Sequence, residues 1–284
     1  MKKSLIILAA GKGQRFGGPK QLALVFESYT ILDFTIYAAI KAGFNHFIFV
    51  INETIETAFK QHWYSGKLPL SCAIDFVLQD NQPQILKPHI VANTAVKGTA
   101  YAILCACHLT EKKFGVLNAD DLYGLQALQL LHDGLFGNDA GIAVLYALEK
   151  TMSKQGSVNR AKCTVVNGEL KNVTEQSYHF ESGVIKDSTA MAVPDNSPVS
   201  MNLWGFPDES IPLLLNRFDM FLKNPVNEFL LPDFVSYCQN KFMFKALLTD
   251  ETCLGLTYAT DLISLQQQII DLVKQEKYPQ KLWL

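Results

Sequence analysis

Four glycines and three cationic side chains lie within residues 11–20, directly after an apolar run at Ser4–Leu8. The apolar run predicts a short buried strand. Glycines let a backbone turn sharply and approach a ligand closely, and Arg15 and Lys20 add positive charge. A strand that leads into such a loop is typical of a phosphate-binding site.

The spacing of these residues distinguishes between known kinds of phosphate loop. A Walker A loop needs Gly-x4-Gly-Lys-Ser/Thr, which the sequence lacks. A Rossmann fingerprint needs Gly-x-Gly-x-x-Gly, but Phe16 occupies the third glycine position and Pro19 interrupts the helix that should follow. An ordinary strand-to-helix loop is the plain structural alternative.

The order Gly-x-Gly-x-Arg followed by Pro-Lys resembles the sugar-1-phosphate nucleotidyltransferase family, also called NDP-sugar pyrophosphorylases. The resemblance implies that Arg15 and Lys20 are the catalytic cations, which hold the phosphates and neutralise charge during transfer. Backbone N–H groups of the loop would cradle the triphosphate. The nucleotide-binding positions predicted in this region are Leu8, Ala10, Gly11 and Gly13.

Composition narrows the class of protein. The 284 residues carry a net charge of −2, so no general basic field suggests nucleic-acid binding. No apolar run approaches the roughly 18–20 residues of a membrane span, and the N-terminal apolar run lacks a signal-peptide cleavage site. We therefore expect a cytoplasmic protein. Six cysteines without a Cys-x-x-Cys pair favour buried free thiols over zinc or disulfides.

Alternating strand and helix patterns in the first half predict an α/β fold, with a Rossmann-like, mixed and mostly parallel sheet and helices on both faces. The predicted strands are 4–8, 46–51, 73–78, 114–117 and 140–148, and the predicted helices are 31–42, 54–61, 98–107 and 124–132.

The pattern changes near residue 150. The Asn167-Gly168 pair predicts a β-hairpin between 163–166 and 169–173, which would form part of a smaller sugar-binding region. Further elements are predicted as a hairpin or loop at 180–192, strands at 199–206 and 242–248, and helices at 211–222, 228–238 and 262–274. No linker marks a boundary, so we expect a single domain over 1–284, with a nucleotide-binding half (1–150) and a sugar-binding and C-terminal half (151–284).

Two adjacent carboxylates end the apolar strand predicted at 114–117. Such a pair is costly unless a cation or hydrogen bonds compensate, and Mg²⁺ prefers carboxylate oxygens together with substrate phosphates. The family has a metal-binding aspartate here, which Asp120 matches best and Asp121 second. Alternatively, Asp121 is the N-cap of the helix near Gly124.

The resemblance also implies a site for the nucleoside. Gln79 ends a predicted strand, and an amide suits base recognition because it offers both a donor and an acceptor. Gly98 and Thr99 would contact the nucleoside from the next helix, or serve only as a helix cap. Residues 80–97 form a longer insert than in the family and could act as a lid.

Three residues of the second half match sugar-binding positions of the family, namely Gly156, Glu175 and Asn202. Gln176 stands where the family often has a lysine. Asn202 lies in an apolar strand, so its amide needs a partner, either a ligand or a buried backbone loop.

A second metal ligand is expected from a late segment. The aligned position holds Thr257, and Asp261 is the nearby carboxylate, which could equally belong to the start of the last helix.

The implied reaction joins a nucleoside triphosphate and a sugar 1-phosphate with the help of Mg²⁺, in nucleotide-sugar biosynthesis; a homo-oligomer is compatible with it. The phosphate nucleophile is already an anion, so positioning and charge neutralisation suffice. One alternative is a cytidylyltransferase that acts on an alcohol phosphate such as phosphocholine. Another is a catalytically silent homologue that binds nucleotide or sugar, which Gln176 and Thr257 favour and Arg15, Lys20 and Asp120 oppose.

Overall fold

The computed structural model describes residues 1–11, 13, 16–64, 67–79, 98–153, 156–223, 228–256 and 258–283. The predicted catalytic Arg15, the predicted lid at 80–97 and the metal-aligned Thr257 lie outside these described residues. No helix of the described chain is long and apolar enough to cross a membrane.

A ten-stranded sheet forms the centre of the structure. The described strands are β1 (Ser4–Leu8), β2 (Leu24–Phe26), β3 (Tyr29–Thr30), β4 (His46–Ile51), β5 (Ala73–Leu78), β6 (Phe114–Asn118), β7 (Asp121–Leu122), β8 (Gly141–Ala147), β9 (Val158–Val166), β10 (Glu169–Glu181), β11 (Val184–Asp187), β12 (Pro198–Phe206), β13 (Phe244–Thr249) and β14 (Leu254–Gly255). The described helices are α1 (Ile31–Ala42), α2 (Glu56–Trp63), α3 (Thr99–Ala106), α4 (Leu125–Gly137), α5 (Ser210–Lys223), α6 (Leu231–Cys238) and α7 (Asp261–Lys274).

The strand order of the sheet is β11-β10-β13-β8-β12-β6-β1-β4-β5, and β9 pairs with both β10 and β12. β5, β4, β1 and β6 are mutually parallel, and β13 is parallel to β8. β12 runs antiparallel to both β6 and β8, so β8 and β13 share the direction of the first four strands. Strands from both halves of the chain therefore belong to one sheet.

Helices cover both faces of this sheet. Alternate side chains of β1 point to opposite faces: Leu5 and Ile7 pack in the core that includes residues of α1, α4 and α7. Ile6 packs in the other core, with residues of α3, α5 and α6. The predicted fold class is thus confirmed, and the continuous apolar strands reflect burial on both faces.

The predicted hairpin is also confirmed, although its strands are much longer than expected. Asn167 and Gly168 have φ of +52° and +76°, the left-handed pair that a tight hairpin turn requires. A second turn at Ser182 and Gly183, with φ of +50° and +80°, connects β10 to β11 inside the region predicted as hairpin or loop. All six thiols are free, and five of them are buried.

Two helix boundaries differ clearly from the prediction. α4 continues to Gly137, and Gly134 within this extension packs closely against the sheet, since a Cβ there would lie 3.0 Å from Leu247. α6 begins at Leu231, three residues later than expected. The preceding segment packs against α3, where Phe229 O accepts a hydrogen bond from Ala100 N over 3.0 Å.

A buried carboxylate anchors the start of α1. Asp33 is 0% exposed and forms a capping box with Thr30. Its carboxylate also accepts hydrogen bonds from His62 Nε2 over 2.8 Å and from Trp283 Nε1 over 3.3 Å. Burial raises the pKa of Asp33, but the hydrogen bond and charge of His62, with the charge of Lys67, outweigh it and hold the pKa below its usual value.

We expect His62→Ala to lower the free energy of unfolding by about 1–3 kcal/mol, because it removes a donor from a buried carboxylate. Urea unfolding at pH 7.5 measures this change. Lys112→Ala is the control, because it removes only an exposed ion pair with Asp208 and should cost less than about 0.5 kcal/mol. Equal effects of the two substitutions would show that the Asp33 cluster does not stabilise the fold.

Candidate active site

The carboxyl ends of β1 and β6 lie side by side, because the two strands pair in parallel with Leu8 opposite Asn118. Ala119 N donates to Leu8 O over 3.1 Å, which extends the pairing by one residue. The glycine-rich loop (residues 9–19) leaves the sheet after β1, and the Asp120-Asp121 turn follows β6. Ligands of open parallel sheets bind beyond these strand ends, so the two segments frame a candidate site.

Two side-chain amides hold the carbonyl groups of the glycine-rich loop. Gln21 Nε2 donates to Ala9 O and to Gly11 O, each over 2.9 Å. Asn52 Nδ2, just after β4, donates to Ala10 O over 2.9 Å. These carbonyls are turned toward protein donors, and no hydrogen bond among the described residues uses the N–H groups of Ala10 and Gly11, so these N–H groups are available to an anion.

A tight turn at Gly13 returns the loop toward the sheet. Gly13 has φ of +59°, and a Cβ there would lie 2.2 Å from Gly18 O, so only glycine fits. Phe16 N and Gly17 N both donate to Gly13 O over 3.0 Å. The turn brings Lys20 back to the carboxyl end of β6.

The ammonium group of Lys20 forms an ion pair with the carboxylate of Asp120. Leu256, just after β14, binds both partners: its carbonyl accepts from Lys20 Nζ over 3.1 Å, and its N–H donates to Asp120 O over 3.1 Å. The two side chains are 19% and 22% exposed, so a ligand can reach them. The structure thus joins a cation and a carboxylate that are 100 positions apart in sequence.

Asp121 points the other way and is only 6% exposed. Its Oδ2 accepts a hydrogen bond from Asn118 Nδ2 over 2.9 Å, and the hydroxyl oxygen of Tyr123 lies 3.5 Å from it. Burial, and next the charge of Asp120, raise the pKa of Asp121 to about 7. The alternative in which Asp121 is an N-cap is wrong, because the side chain of Asp121 makes no capping hydrogen bond to α4. At the start of α4, Gln126 N donates to Glu251 Oε1 instead.

A metal ion fits at Asp120 by the chemistry of the donors. Mg²⁺ is usually held by one or two carboxylates together with substrate phosphates, and Asp120 offers an accessible carboxylate beside the glycine-rich loop. Within the described residues, no group of three or more His, Cys, Asp or Glu side chains could hold a metal by itself. A metal here would therefore depend on ligand oxygens.

Asp261, the other predicted metal ligand, lies at the start of α7. Its carboxylate accepts from Tyr258 N over 2.7 Å and from the Ser153 hydroxyl over 3.1 Å. These contacts fit the structural alternative of a helix start, and none of the described contacts joins Asp261 to Asp120. Its metal role stays a prediction.

The predicted nucleoside residues meet at the end of β5. Gln79 Nε2 donates to Gly98 O over 3.2 Å, which brings together two residues separated by the insert. A Cβ on Gly98 would lie 2.3 Å from Phe229 O. The Thr99 hydroxyl accepts from Leu231 N over 2.8 Å, so it is engaged with the start of α6.

The predicted sugar residues lie in the loop before β9 (Gly156), on β10 (Glu175) and on β12 (Asn202). Gly156 packs next to Tyr258, whose hydroxyl would lie 3.1 Å from an added Cβ. Glu175 is exposed on β10, in a cross-strand row with Ala161 and Ser200.

Asn202 and Gln176 have protein partners of their own. Asn202 is two residues beyond Ser200 and donates to Asn118 Oδ1 over 3.3 Å, which supplies the partner that its amide needs. Gln176 Nε2 donates to Asp187 Oδ2 over 2.9 Å, so the side chain at this position joins β10 to β11.

Sequence reasoning missed the residues that support the site, namely Gln21, Asn52, Asn118, Tyr123 and Leu256. Asn52 directly follows a predicted strand, so its position at a strand end was a usable indication. Gln21 directly follows Lys20 in the loop pattern, which was the indication for it. The contact of Leu256 with Lys20 depends on tertiary structure alone.

A Ser–His–Asp arrangement elsewhere in the sheet is structural. His46 Nδ1 lies 2.8 Å from Ser4 Oγ, and His46 Nε2 lies 2.7 Å from Asp75 Oδ2. Ser4 and His46 are both 0% exposed and lie at the amino ends of β1 and β4, opposite the candidate site. A nucleophile that no substrate can reach does not support hydrolase chemistry.

Comparison with known proteins identifies the family. Residues 4–161, more than half of the chain, match the family described as Nucleotidyl transferase. The chain therefore belongs to this family of enzymes, which confirms the resemblance seen in the glycine-rich loop. A sequence search of curated proteins found no match.

Solved structures share the fold over nearly the whole chain. UDP-glucose pyrophosphorylase from Acinetobacter baumannii is 16% identical with a TM-score of 0.64, over 97% of this chain and 100% of that one. Inositol-1-phosphate CTP transferase from T. maritima is 12% identical with a TM-score of 0.65, over 94% and 96%. A putative glucose-1-phosphate thymidylyltransferase from Bacillus anthracis is 11% identical with a TM-score of 0.65, over 95% and 96%.

The raised pKa of Asp121 predicts a pH-dependent stability. A carboxyl group whose pKa is higher in the folded than in the unfolded chain stabilises the folded state. This stabilisation is complete below the unfolded pKa of about 3.9, and it is lost as the pH rises through the folded pKa of about 7. The unfolding free energy of the wild type minus that of Asp121→Asn should therefore fall between pH 4 and 7, by at most about 1.4 kcal/mol per pH unit.

Urea unfolding in EDTA at pH 4.5, 6 and 8 measures this difference. Asp139→Asn is the control, because a hydrogen bond from Lys113 lowers the pKa of the exposed Asp139. The corresponding difference in unfolding free energy for Asp139→Asn should not fall over this pH range. A difference for Asp121→Asn that stays constant or rises with pH would contradict the assignment.

Proposed function

We propose that the chain joins a nucleoside triphosphate to a sugar 1-phosphate, giving an NDP-sugar and pyrophosphate. The observation that carries this proposal is the ion pair between Lys20 and Asp120 at two adjoining strand ends, held by Leu256. A phosphate-binding cation and a metal-binding carboxylate at one place are what transfer of a charged nucleotidyl group requires.

The reaction follows from these parts. A phosphate oxygen of the sugar 1-phosphate attacks the α-phosphorus, a new P–O bond forms, and the bond from the α-phosphorus to the oxygen bridging to the β-phosphorus breaks. Pyrophosphate leaves with that electron pair. Because the nucleophile is already an anion, no described residue needs to act as a general base. The protein instead lowers the repulsion between two anions and aligns them.

Each predicted residue has a role in this scheme. The N–H groups of the glycine-rich loop bind triphosphate oxygens, and Lys20, with Arg15 from outside the described residues, neutralises the charge that develops. Asp120 holds Mg²⁺, which supplies Lewis-acid stabilisation of the phosphates when bound. Gln79 and Gly98 face the base, with Thr99 beside them.

The sugar side rests on Asn202, Glu175 and Gly156. Residues 1–284 act as one unit in this proposal, because β12 lies between β6 and β8 and so connects the nucleotide-binding half to the sugar-binding half. A cytoplasmic location and a small-molecule substrate pair complete the proposal.

A transfer to an alcohol phosphate is the second candidate. The fold of inositol-1-phosphate CTP transferase matches this chain as well as the fold of the sugar enzymes does. Gln176 also replaces the lysine expected at the sugar phosphate and is occupied by Asp187, which weakens the sugar assignment at that one contact.

Pyrophosphate release decides between these candidates. The screen crosses ATP, CTP, GTP, UTP and dTTP with sugar 1-phosphates, inositol 1-phosphate and phosphocholine in the presence of Mg²⁺. We expect turnover with a sugar 1-phosphate, and a loss of at least about a hundredfold in Asp120→Ala, because the transition-state charge then lacks its metal. Asp250→Ala removes a fully exposed carboxylate and should leave the rate unchanged.

Three outcomes would contradict the proposal in different ways. Release with inositol 1-phosphate or phosphocholine alone would support the second candidate. Nucleotide binding without release from any pair would support a silent homologue. Full activity of Asp120→Ala would remove the metal assignment.

The glycine-rich loop gives a separate prediction. Gly13→Ala should raise the KM for the nucleoside triphosphate about tenfold or more, because a Cβ at Gly13 collides with Gly18 O and the left-handed φ disfavours alanine. Gly18→Ala is the matched control in the same loop, since no atom lies within 4 Å of its added Cβ. Equal KM values for the two variants would mean that the turn does not shape the phosphate site.

A further inference from the structure

A chain of hydrogen-bonded side chains connects the buried carboxylate to β12. Asn118 Nδ2 donates to Asp121 Oδ2 over 2.9 Å, and Asn202 Nδ2 donates to Asn118 Oδ1 over 3.3 Å. Asp121 is buried, and the two asparagines are half-buried. The contacts therefore join the turn that carries Asp120 to the neighbouring strand that carries Asn202.

The contacts fix the direction of both amides. Asp121 Oδ2 accepts from the NH₂ group of Asn118 over 2.9 Å, so this NH₂ group faces Asp121. The carbonyl oxygen of Asn118 then faces Asn202, and the NH₂ group of Asn202 donates to it. Oδ1 of Asn202 is then the amide atom that no hydrogen bond among the described residues uses.

The backbone around Asn202 is held just as firmly. Asn202 has φ of +60°, a conformation that asparagine tolerates better than most residues. It lies where the register between β12 and β8 shifts, between Ser200 and Trp204. Ser200 Oγ accepts from Asn202 N over 3.0 Å, and the Tyr123 hydroxyl donates to Met201 O over 2.8 Å. A bend fixed on both sides of Asn202 leaves its amide little freedom.

We propose that Asp121 is a positioning residue for the sugar phosphate, acting through Asn118 on the amide of Asn202. It turns Asn202 Oδ1 toward the ligand, so the site selects a ligand group that donates a hydrogen bond, such as a sugar hydroxyl. The inference rests on the proposed function and adds to it the hydrogen-bonding sense of the sugar contact. Asp121 touches neither substrate in this arrangement.

Interrupting the chain at two different links tests the inference. Asp121→Leu removes the acceptor that holds Asn118, and Asn118→Leu removes the acceptor that holds Asn202. Asp121→Asn is the matched variant that keeps an acceptor oxygen. With glucose 1-phosphate and UTP at pH 8, each leucine variant should raise the KM for glucose 1-phosphate about tenfold, the effect of one misdirected hydrogen bond. The KM for UTP should stay within about twofold, and Asp121→Asn should stay within about threefold for both.

The double variant Asp121→Leu/Asn118→Leu separates a relay from two independent effects. Residues that act as one unit are not additive, so the double variant should resemble each single variant rather than multiply their effects. Thermal unfolding checks that each variant folds, and Asn118→Leu carries the same prediction if Asp121→Leu does not fold.

A readout without substrate tests the orientation itself. In ¹⁵N NMR spectra, the side-chain NH₂ signals of Asn202 should move in both leucine variants and stay in place in Asp121→Asn. Monodeoxy analogues of glucose 1-phosphate then identify the hydroxyl, because the analogue that lacks it should bind wild type and Asp121→Leu equally.

The outcomes distinguish this inference from the proposed function. A wild-type chain that releases pyrophosphate from no substrate pair would contradict the proposed function. An active wild type in which the leucine variants leave the KM for glucose 1-phosphate unchanged, or raise both KM values alike, would overturn the positioning role alone.

Discussion

The structure has to accommodate two adjacent carboxylates at the end of a buried strand, and the rest of the site depends on how it does so. Neighbouring residues at a strand end point in opposite directions, so Asp120 and Asp121 meet different surroundings. Asp120 faces outward and pairs with Lys20. Asp121 faces inward, where Asn118 Nδ2 supplies a hydrogen bond. Asp120 is thereby accessible to a ligand, and Asp121 takes part in hydrogen bonds inside the protein.

This division couples the phosphate loop to the carboxylates. The cation that compensates Asp120 comes from the end of the glycine-rich loop, and Lys20 reaches it only because Gly13 permits the turn. Leu256 contacts both members of the pair through its backbone, so the late segment of the chain completes the site. The loop, the β6 turn and the segment after β14 therefore form one unit although they are far apart in sequence.

Much of this site could be predicted from the sequence, because part of it is encoded locally. Gly13 and Lys20 belong to a contiguous pattern, and Asp120 follows an apolar strand, so the sequence offered all three as candidates, and the structure places Lys20 against Asp120. Asn118 was not identified, since its partners lie on β7 and β12 and the neighbour relation of β6 and β12 follows only from the strand order. The fold class was recognisable from alternating elements. Helix ends such as the start of α6 were not, because the segment before it bonds to α3 through Phe229 O.

The same distinction explains why the phosphate side of the site is easier to recognise than the sugar side. Phosphates are bound by backbone N–H groups and simple charge, which require glycines and cations at fixed spacing and leave a clear pattern in the sequence. A sugar hydroxyl is recognised by the direction of a single donor or acceptor, and an amide can present either. In the proposed arrangement that direction depends on groups behind the amide, namely Asn118 and the buried carboxylate of Asp121, which are far from Asn202 in sequence. Substrate choice in this fold can therefore differ between chains that share every phosphate-binding residue.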